Sequence, residues 1–271
     1  MHTRVRQVLI STSIIVVVLV LAGATYQGVA TALERRKYPH PGRLVDVGGH
    51  QLHIHCTGEG RPVVALEAPA AGMSAAWGWV QAEAAKTTRV CSYDRAGLGW
   101  SEAGDRPYDP GRVPEELRAL LIAAKEPGPY VLAGHSLGAS FVRRFASLYP
   151  ADTAALVLID PAADMPANTR VVTVWPWLAR AGLLRITRLL SDGWKGLPDP
   201  SAGVMGTFLN RPDHLTRASR EVARWDDAVR LGDEATIPAG VAVATLSAGL
   251  NDEEAARRIT TAIVQAVSRD Q

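Results

Sequence analysis

The residues Gly134-His135-Ser136-Leu137-Gly138 set a serine between two glycines, one two positions before it and one two positions after. A serine hydroxyl attacks a carbonyl carbon when it stands clear on a tight turn and a base takes its proton. The flanking residues fit such a turn. Tyr130-Val131-Leu132-Ala133 is a short apolar run that reads as a buried strand. Ala139–Tyr149 carries Phe141, Val142, Phe145 and Leu148 at helical spacing, with Arg143 and Arg144 on another face. Strand, G-x-S-x-G and helix together predict a strained backbone at Ser136, for which glycines at 134 and 138 leave room. The Leu137 amide, at the helix N-terminus, then faces the place where a carbonyl oxygen would become an oxyanion. The chemistry implied is acyl transfer through a serine ester.

Such a turn needs a sheet behind it. Leu44–Val47, a Gly48-Gly49 turn and Gln51–Cys56 read as a hairpin. Further strands are expected at Pro62–Glu67, Thr88–Tyr93, Tyr130–Ala133, Ala154–Ile159 and Val241–Leu246, with helical patterns at Ala75–Ala85, Pro114–Ala124 and Ala139–Tyr149 between the later ones. Alternating strand and helix predicts an α/β fold, a mostly parallel sheet covered on both faces. The stretch of roughly residues 163–236 reads as a helical cap inserted between the last two strands. Its basic amphipathic part, around Leu178–Leu190, is read as packing over the sheet edge in preference to lying on a membrane surface.

The chain has 271 residues, 47% of them hydrophobic, enough for one sizeable domain with appendages. Gln7–Leu33 contains no charged residue. Its centre, Val8–Thr25, would span about 27 Å as a helix, close to the hydrocarbon thickness of a bilayer. Residues 1–37 are therefore read as an uncleaved membrane anchor, ahead of a body at 38–271. A signal peptide cleaved near Ala22-Gly23-Ala24 is the rival. The body is expected outside the cytoplasm, or secreted if cleavage occurs. Of 29 basic and 27 acidic residues, six basic and one acidic fall in residues 1–43, so the body is slightly acidic and has no basic patch for nucleic acid. Nothing in the sequence indicates an oligomer.

With these residues in hand, the chain resembles the α/β-hydrolase superfamily, in its serine-esterase branch found as membrane-anchored bacterial proteins. The likeness covers about residues 41–250. It rests on Pro41-Gly42 leading into the Gly48–Gly60 hairpin, on Tyr93-Asp94-Arg95-Ala96-Gly97-Leu98-Gly99-Trp100-Ser101, and on Gly134–Gly138. The resemblance implies a small ester as substrate, no cofactor, and an oxyanion loop at Glu67–Gly72 whose Ala70 amide joins that of Leu137. Relatives often have glycine where Pro69 stands; proline offers no N–H, so the loop must take its shape another way. Asp94 and Arg95 are assigned to structure. The triad acid sits after the sixth or the seventh strand; Asp160 fits the first position and Asp252 the second. Asp160 is preferred because it leaves a buried strand end in a fixed direction. An N-cap or turn role before Pro161 stands beside that assignment. In the family's strand order Cys56 and Cys91 fall on neighbouring strands, within reach of a disulfide or as two buried thiols.

The base is where the pattern breaks. A histidine should follow an eighth strand, yet only His214 lies beyond Ser136, and it belongs to the cap. After Gly249 the chain passes into a helical pattern that resembles the family's closing helix, from Ala255 to Val267, with no room for another strand. His135 is discounted because neighbours on such a turn point apart. His50, His53 and His55 are read as sheet packing, not as a metal site. Two readings follow: a serine esterase acting through Ser136, Leu137, Ala70 and Asp160, or a hydrolase-fold binding protein without turnover.

Overall fold

The computed structural model describes residues 2–163, 165 and 172–268. Among these residues, seven strands form one sheet: β1 (Arg43–Asp46), β2 (Gln51–Thr57), β3 (Val63–Glu67), β4 (Val90–Tyr93), β5 (Tyr130–His135), β6 (Thr153–Ile159) and β7 (Ala242–Leu246). Their order is β1-β2-β4-β3-β5-β6-β7. β1 and β2 pair antiparallel, as do β2 and β4; every other neighbouring pair is parallel. The expected seven strands all form, each within a few residues of its expected ends.

Helices cover both faces. α1 (His2–Lys37) precedes the sheet. α2 (Gly78–Ala84) and α10 (Glu253–Ser268) share one face; α3 (Val113–Ala123) and α4 (Leu137–Leu148) share the other. The central strands β3, β5 and β6 send apolar side chains into both layers, which is why they read as continuous apolar runs. Between β6 and β7 lie α5 (Trp175–Arg180), α6 (Leu183–Thr187), α7 (Ser201–Phe208), α8 (Pro212–Ala223) and α9 (Trp225–Asp233). The chain then goes from β7 to α10 through a short loop, so β7 is an edge strand, with Val243 44% exposed.

Cys56 and Cys91 face each other across the β2–β4 pair and are joined as a disulfide. This resolves the pairing that the sequence left open.

α1 is long and apolar enough to cross a membrane. Its large side chains from Val8 to Leu21 are 48–65% exposed, whereas its last turns dock on the body. Gln27 is buried there, with Nε2 donating to the Asn210 carbonyl at 2.8 Å.

Candidate active site

Ser136 stands between β5 and α4 with φ 53° and ψ −120°, a conformation that side chains rarely adopt. The surroundings hold it there. Its N–H donates to the Ile159 carbonyl at 2.9 Å, and its own carbonyl accepts from Ala139 at 2.9 Å and Ala162 at 3.2 Å. The two glycines are required by close approach. A Cβ on Gly134 would lie 2.5 Å from the Gly138 carbonyl oxygen, and one on Gly138 would lie 2.4 Å from that of Glu67. α4 starts at Leu137, two residues earlier than its apolar periodicity indicates. The Leu137 N–H is thus the first of the helix and has no intrahelical acceptor.

The loop after β3 comes within contact of this turn. Arg95 donates through Nη1 to the Ala68 carbonyl at 2.8 Å and through Nη2 to the Pro69 carbonyl at 2.9 Å. The Ala71 N–H donates to Glu221 Oε2 at 3.2 Å, and His214 Nε2 donates to the Ala71 carbonyl at 3.0 Å. Gly72 closes a turn onto Pro69 at 2.9 Å. Here is the other means of shaping the loop that Pro69 requires: side chains from outside pin it. Among the described residues, the N–H groups of Ala70 and Leu137 meet no acceptor. They are two free donors, one in the loop after β3 and one at the start of α4.

Arg95, assigned to structure from the sequence, is the centre of a buried charge cluster. It meets Glu67 Oε1 at 2.6 Å and Glu221 at 2.8 and 2.9 Å, and Tyr93 donates its hydroxyl to Glu67. Arg217 adds a second guanidinium 3.7 Å from Glu221. Burial pushes the Glu67 carboxyl above its usual range. For Glu221 burial acts the same way, but the arginines and the Ala71 amide outweigh it and hold the carboxyl low. Sequence reasoning missed Glu221 and Arg217. The available signal was their spacing with His214 on α8, three polar residues three and four apart, which is one helix face.

His214 is buried, with both ring nitrogens engaged: Nδ1 accepts from the Gly99 N–H at 3.0 Å while Nε2 donates to Ala71. That pattern requires the neutral ring, and burial lowers its pKa accordingly. Asp160 lies at the end of β6 with φ 40°. Its carboxylate accepts from the Ser247 hydroxyl and from the Ala248 N–H at 3.1 Å, tying β6 to the loop after β7. Among the described residues, the histidine within ion-pair reach of it is His135, with Nε2 at 3.9 Å. Asp252 caps α10, accepting from Ala255 at 2.9 Å. Among the described residues the Ser136 hydroxyl has no hydrogen-bonded partner.

His53 is more than sheet packing. Its Nδ1 lies 3.0 Å from Asp94 Oδ2, and its Nε2 faces the Pro41 carbonyl. Two acceptors require a doubly protonated ring. Burial opposes that charge; the Asp94 carboxylate and the carbonyl prevail and raise the pKa. Asp94 also accepts from Ser74 at 2.7 Å and Trp100 at 2.9 Å, which fixes the loop named in the second motif.

An apolar wall flanks the turn. Leu137 and Phe141 of α4 pack with Trp225 and Ala228 of α9, and Ala70, Ala162 and Met165 lie against them. Trp225 Nε1 donates to the Ala163 carbonyl at 3.0 Å, holding the chain after β6 over this cluster. A separate cavity of about 790 Å³ opens between the end of α1, the residues around Trp100–Tyr108, and α8. Ser136 is not among the residues that line it.

Sheet order and a serine at positive φ on a strand-to-helix turn define a hydrolase fold of the α/β class. The family model of the alpha/beta hydrolase family matches residues 52–268, and the chain belongs to that family. An AB hydrolase superfamily protein of Gibberella zeae is 34% identical over 179 residues, 63% of this chain and 56% of the relative. An uncharacterized Bacillus subtilis protein is 27% identical over 125 residues, 44% of this chain and 37% of the relative. An uncharacterized vacuolar membrane protein of Saccharomyces cerevisiae is 32% identical over 114 residues, 35% of this chain and 18% of the relative. The matched stretch thus spans little more than half of these relatives' length at most.

Two solved structures share the fold at low identity. The enol-lactonase of Burkholderia xenovorans LB400 superposes with TM-score 0.62 at 20% identity, covering 83% of this chain and 100% of that one. A thermophilic esterase of Thermogutta terrifontis does so with TM-score 0.59 at 20% identity, covering 82% and 94%.

Proposed function

We propose that this protein is a membrane-anchored serine hydrolase acting on a carboxylic ester of modest size. The observation that carries the reading is the strained Ser136 set beside two amides without acceptors, Leu137 and Ala70. In this reading Ser136 Oγ attacks the ester carbonyl, and the two N–H groups hold the oxygen as it becomes negative. An acyl-serine forms, the alcohol leaves, and water releases the acid. The apolar wall of Phe141, Trp225 and Ala70 suits a hydrophobic acyl or alcohol part. Residues 1–37 serve as the anchor and residues 38–271 as the hydrolase domain, with the helices of roughly 163–236 as its cap. A disulfide between Cys56 and Cys91 favours a body outside the cytoplasm.

A second reading has its own support. Both His214 nitrogens are taken, and the Ser136 hydroxyl has no base bonded to it among the described residues. A serine without a base retains only about 10³–10⁴-fold over water from the oxyanion hole and binding. That arrangement suits a protein that binds esters and turns them over slowly, with Asp160 keeping the β6–β7 end in shape.

The experiment is p-nitrophenyl butyrate hydrolysis by the full chain in detergent, compared with Ser136→Ala. Robust turnover lost in the variant establishes the esterase reading. Equal rates in both, across a panel of chain lengths, overturn it in favour of the binding protein.

A further inference from the structure

The body has a cluster of apolar side chains facing solvent. Among the described residues from 38 onward, eight large apolar side chains are exposed, and five of them fall in Val174–Leu189. Trp177 is 70% exposed, Ile186 67%, Leu189 66% and Leu183 46%. This is the amphipathic stretch that the sequence reading laid over the sheet edge. Only part of it packs so: Pro176, Ala179 and Leu184 are buried and Trp175, Leu178 and Leu190 pack half-buried against the core, whereas Val174, Trp177, Leu183, Ile186 and Leu189 face outward. Single exposed apolar residues are ordinary, but a cluster marks a contact surface.

We propose that this corner of α5 and α6 lies in the lipid interface as a second membrane contact beside the anchor. The proposal rests on reading α1 as that anchor. What identifies the occupant as lipid is where the corner is attached. The Ala181–Gly182 turn between α5 and α6 abuts α1 at Gly23: a Cβ on Gly23 would come within 2.2 Å of the Ala181 carbonyl oxygen. Arg185 of α6 then grips the next turns, with Nε donating to Gln27 Oε1 at 3.0 Å and Nη2 to Glu34 Oε2 at 3.0 Å. The corner is thus fixed at the height of the last turns of α1, from Gly23 to Glu34, about 16 Å along the axis.

That height is set by the sequence of α1. Gly23 lies two residues, about 3 Å along the axis, inside the end of the Val8–Thr25 apolar run. When that run crosses a bilayer, Gly23 sits where hydrocarbon gives way to headgroups. The corner begins at that depth, where its Ala181–Gly182 turn meets Gly23, and reaches outward beside Gln27 and Glu34 through Arg185.

The chemistry of the corner matches that level. A tryptophan ring is at home at the interface. Arg180 lies 5.0 Å over the Trp177 ring, and neither Arg180 nor Arg188 has a carboxylate partner among the described residues. Apolar side chains flanked by unpaired arginines form the pattern of a helix lying on an anionic surface. The nearest acid along the chain, Asp192, is paired with Lys195 at 2.9 Å and leaves that positive charge unneutralised.

The test places a nitroxide at one cysteine at a time in the full chain, reconstituted in vesicles of phosphatidylcholine and phosphatidylglycerol. The sites are Ile186→Cys and Leu189→Cys in the corner, Val17→Cys in the apolar run, and exposed Glu59→Cys where the parallel strands begin. Power saturation compares collisions with oxygen, which concentrates in lipid, and with a water-soluble nickel chelate. The expected result is several-fold greater access for oxygen than for nickel at 186 and 189, as at 17, and the reverse at 59. Nickel access at 186 and 189 with lipid character at 17 overturns the proposal and leaves the anchor standing. Nickel access at 17 as well overturns the anchor and the proposal together. Exclusion of both reagents at 186 and 189 overturns it in favour of a protein partner or a second copy.

Discussion

His214 Nε2 donates to the carbonyl of Ala71 at 3.0 Å, across 143 residues of sequence, and its Nδ1 accepts from Gly99. The histidine best placed in the chain order to be a base is instead a strut between α8, the loop after β3 and the Asp94–Ser101 loop. A His214→Ala substitution should therefore act on stability. It leaves a buried donor and a buried acceptor unpaired, at about 1–3 kcal/mol each. The expected outcome is a clear fall in the thermal midpoint, with residual ester hydrolysis tracking the folded fraction. A loss of activity with an unchanged midpoint would make His214 the base after all.

Glu221 offers a harsher test of the same framework. It neutralises Arg95 from inside the fold and receives the Ala71 amide. Removing one partner of a buried ion pair costs about 3–5 kcal/mol, because the remaining charge has no water to replace it. Glu221→Ala should therefore lower the urea midpoint sharply, and Glu221→Gln, which retains an acceptor, should lower it less. Equal and small effects of both would mean that Arg95 finds compensation from Glu67 alone.

The buried His53–Asp94 pair makes stability depend on pH in a definite direction. The His53 pKa is raised, so its contribution is complete below the ordinary imidazole value of about 6.5 and is lost as pH rises through the higher folded value. The Asp94 pKa is lowered, so its contribution is complete above about 3.9 and is lost as pH falls through the lower folded value. The pair is fully in place between about pH 4 and pH 6.5. The stability gap between the wild type and His53→Gln, measured by thermal melts, should be widest near pH 5.5 and narrow toward pH 9. A gap independent of pH would remove the charge from the account.

The disulfide predicts a further loss on reduction. Cys56 and Cys91 close a loop with a sequence separation of 35, for which chain entropy gives about 3–4 kcal/mol. Cys56→Ala with Cys91→Ala should lower the urea midpoint by a corresponding amount, and dithiothreitol should affect the wild type but not the double variant. No response in either would mean that the thiols are not joined in the folded chain.

Sequence patterns report what is local. The β strands were legible because the central ones are buried on both faces and read as unbroken apolar runs. The turn at Ser136 was legible because two glycines, a strand and a helix fall within twenty residues. The contacts that shape the loop beside it were not. Arg95 meets Glu221 across 126 residues, and Gln27 of α1 meets Asn210 across 183. No periodicity links such positions. Polar residues on one face of α8 look like a solvated surface until the fold buries them. The same limit applies to Leu183, Ile186 and Leu189, whose amphipathic spacing shows an apolar face but not what that face meets.

The backbone at Ser136 yields a prediction that separates strain from chemistry. At φ 53° and ψ −120° a side chain costs about 1–3 kcal/mol, and glycine escapes most of that cost. Three backbone hydrogen bonds, to Ile159, Ala139 and Ala162, hold the conformation whatever side chain is present. Ser136→Gly should then remove any hydrolysis and yet raise the thermal midpoint by a few degrees, after allowing for glycine's greater freedom in the unfolded chain. Ser136→Ala should remove hydrolysis equally and leave the midpoint near that of the wild type, since alanine keeps the strained Cβ. A midpoint for Ser136→Gly at or below that of Ser136→Ala would show that the turn stores no strain, and the preorganised serine would lose its physical basis.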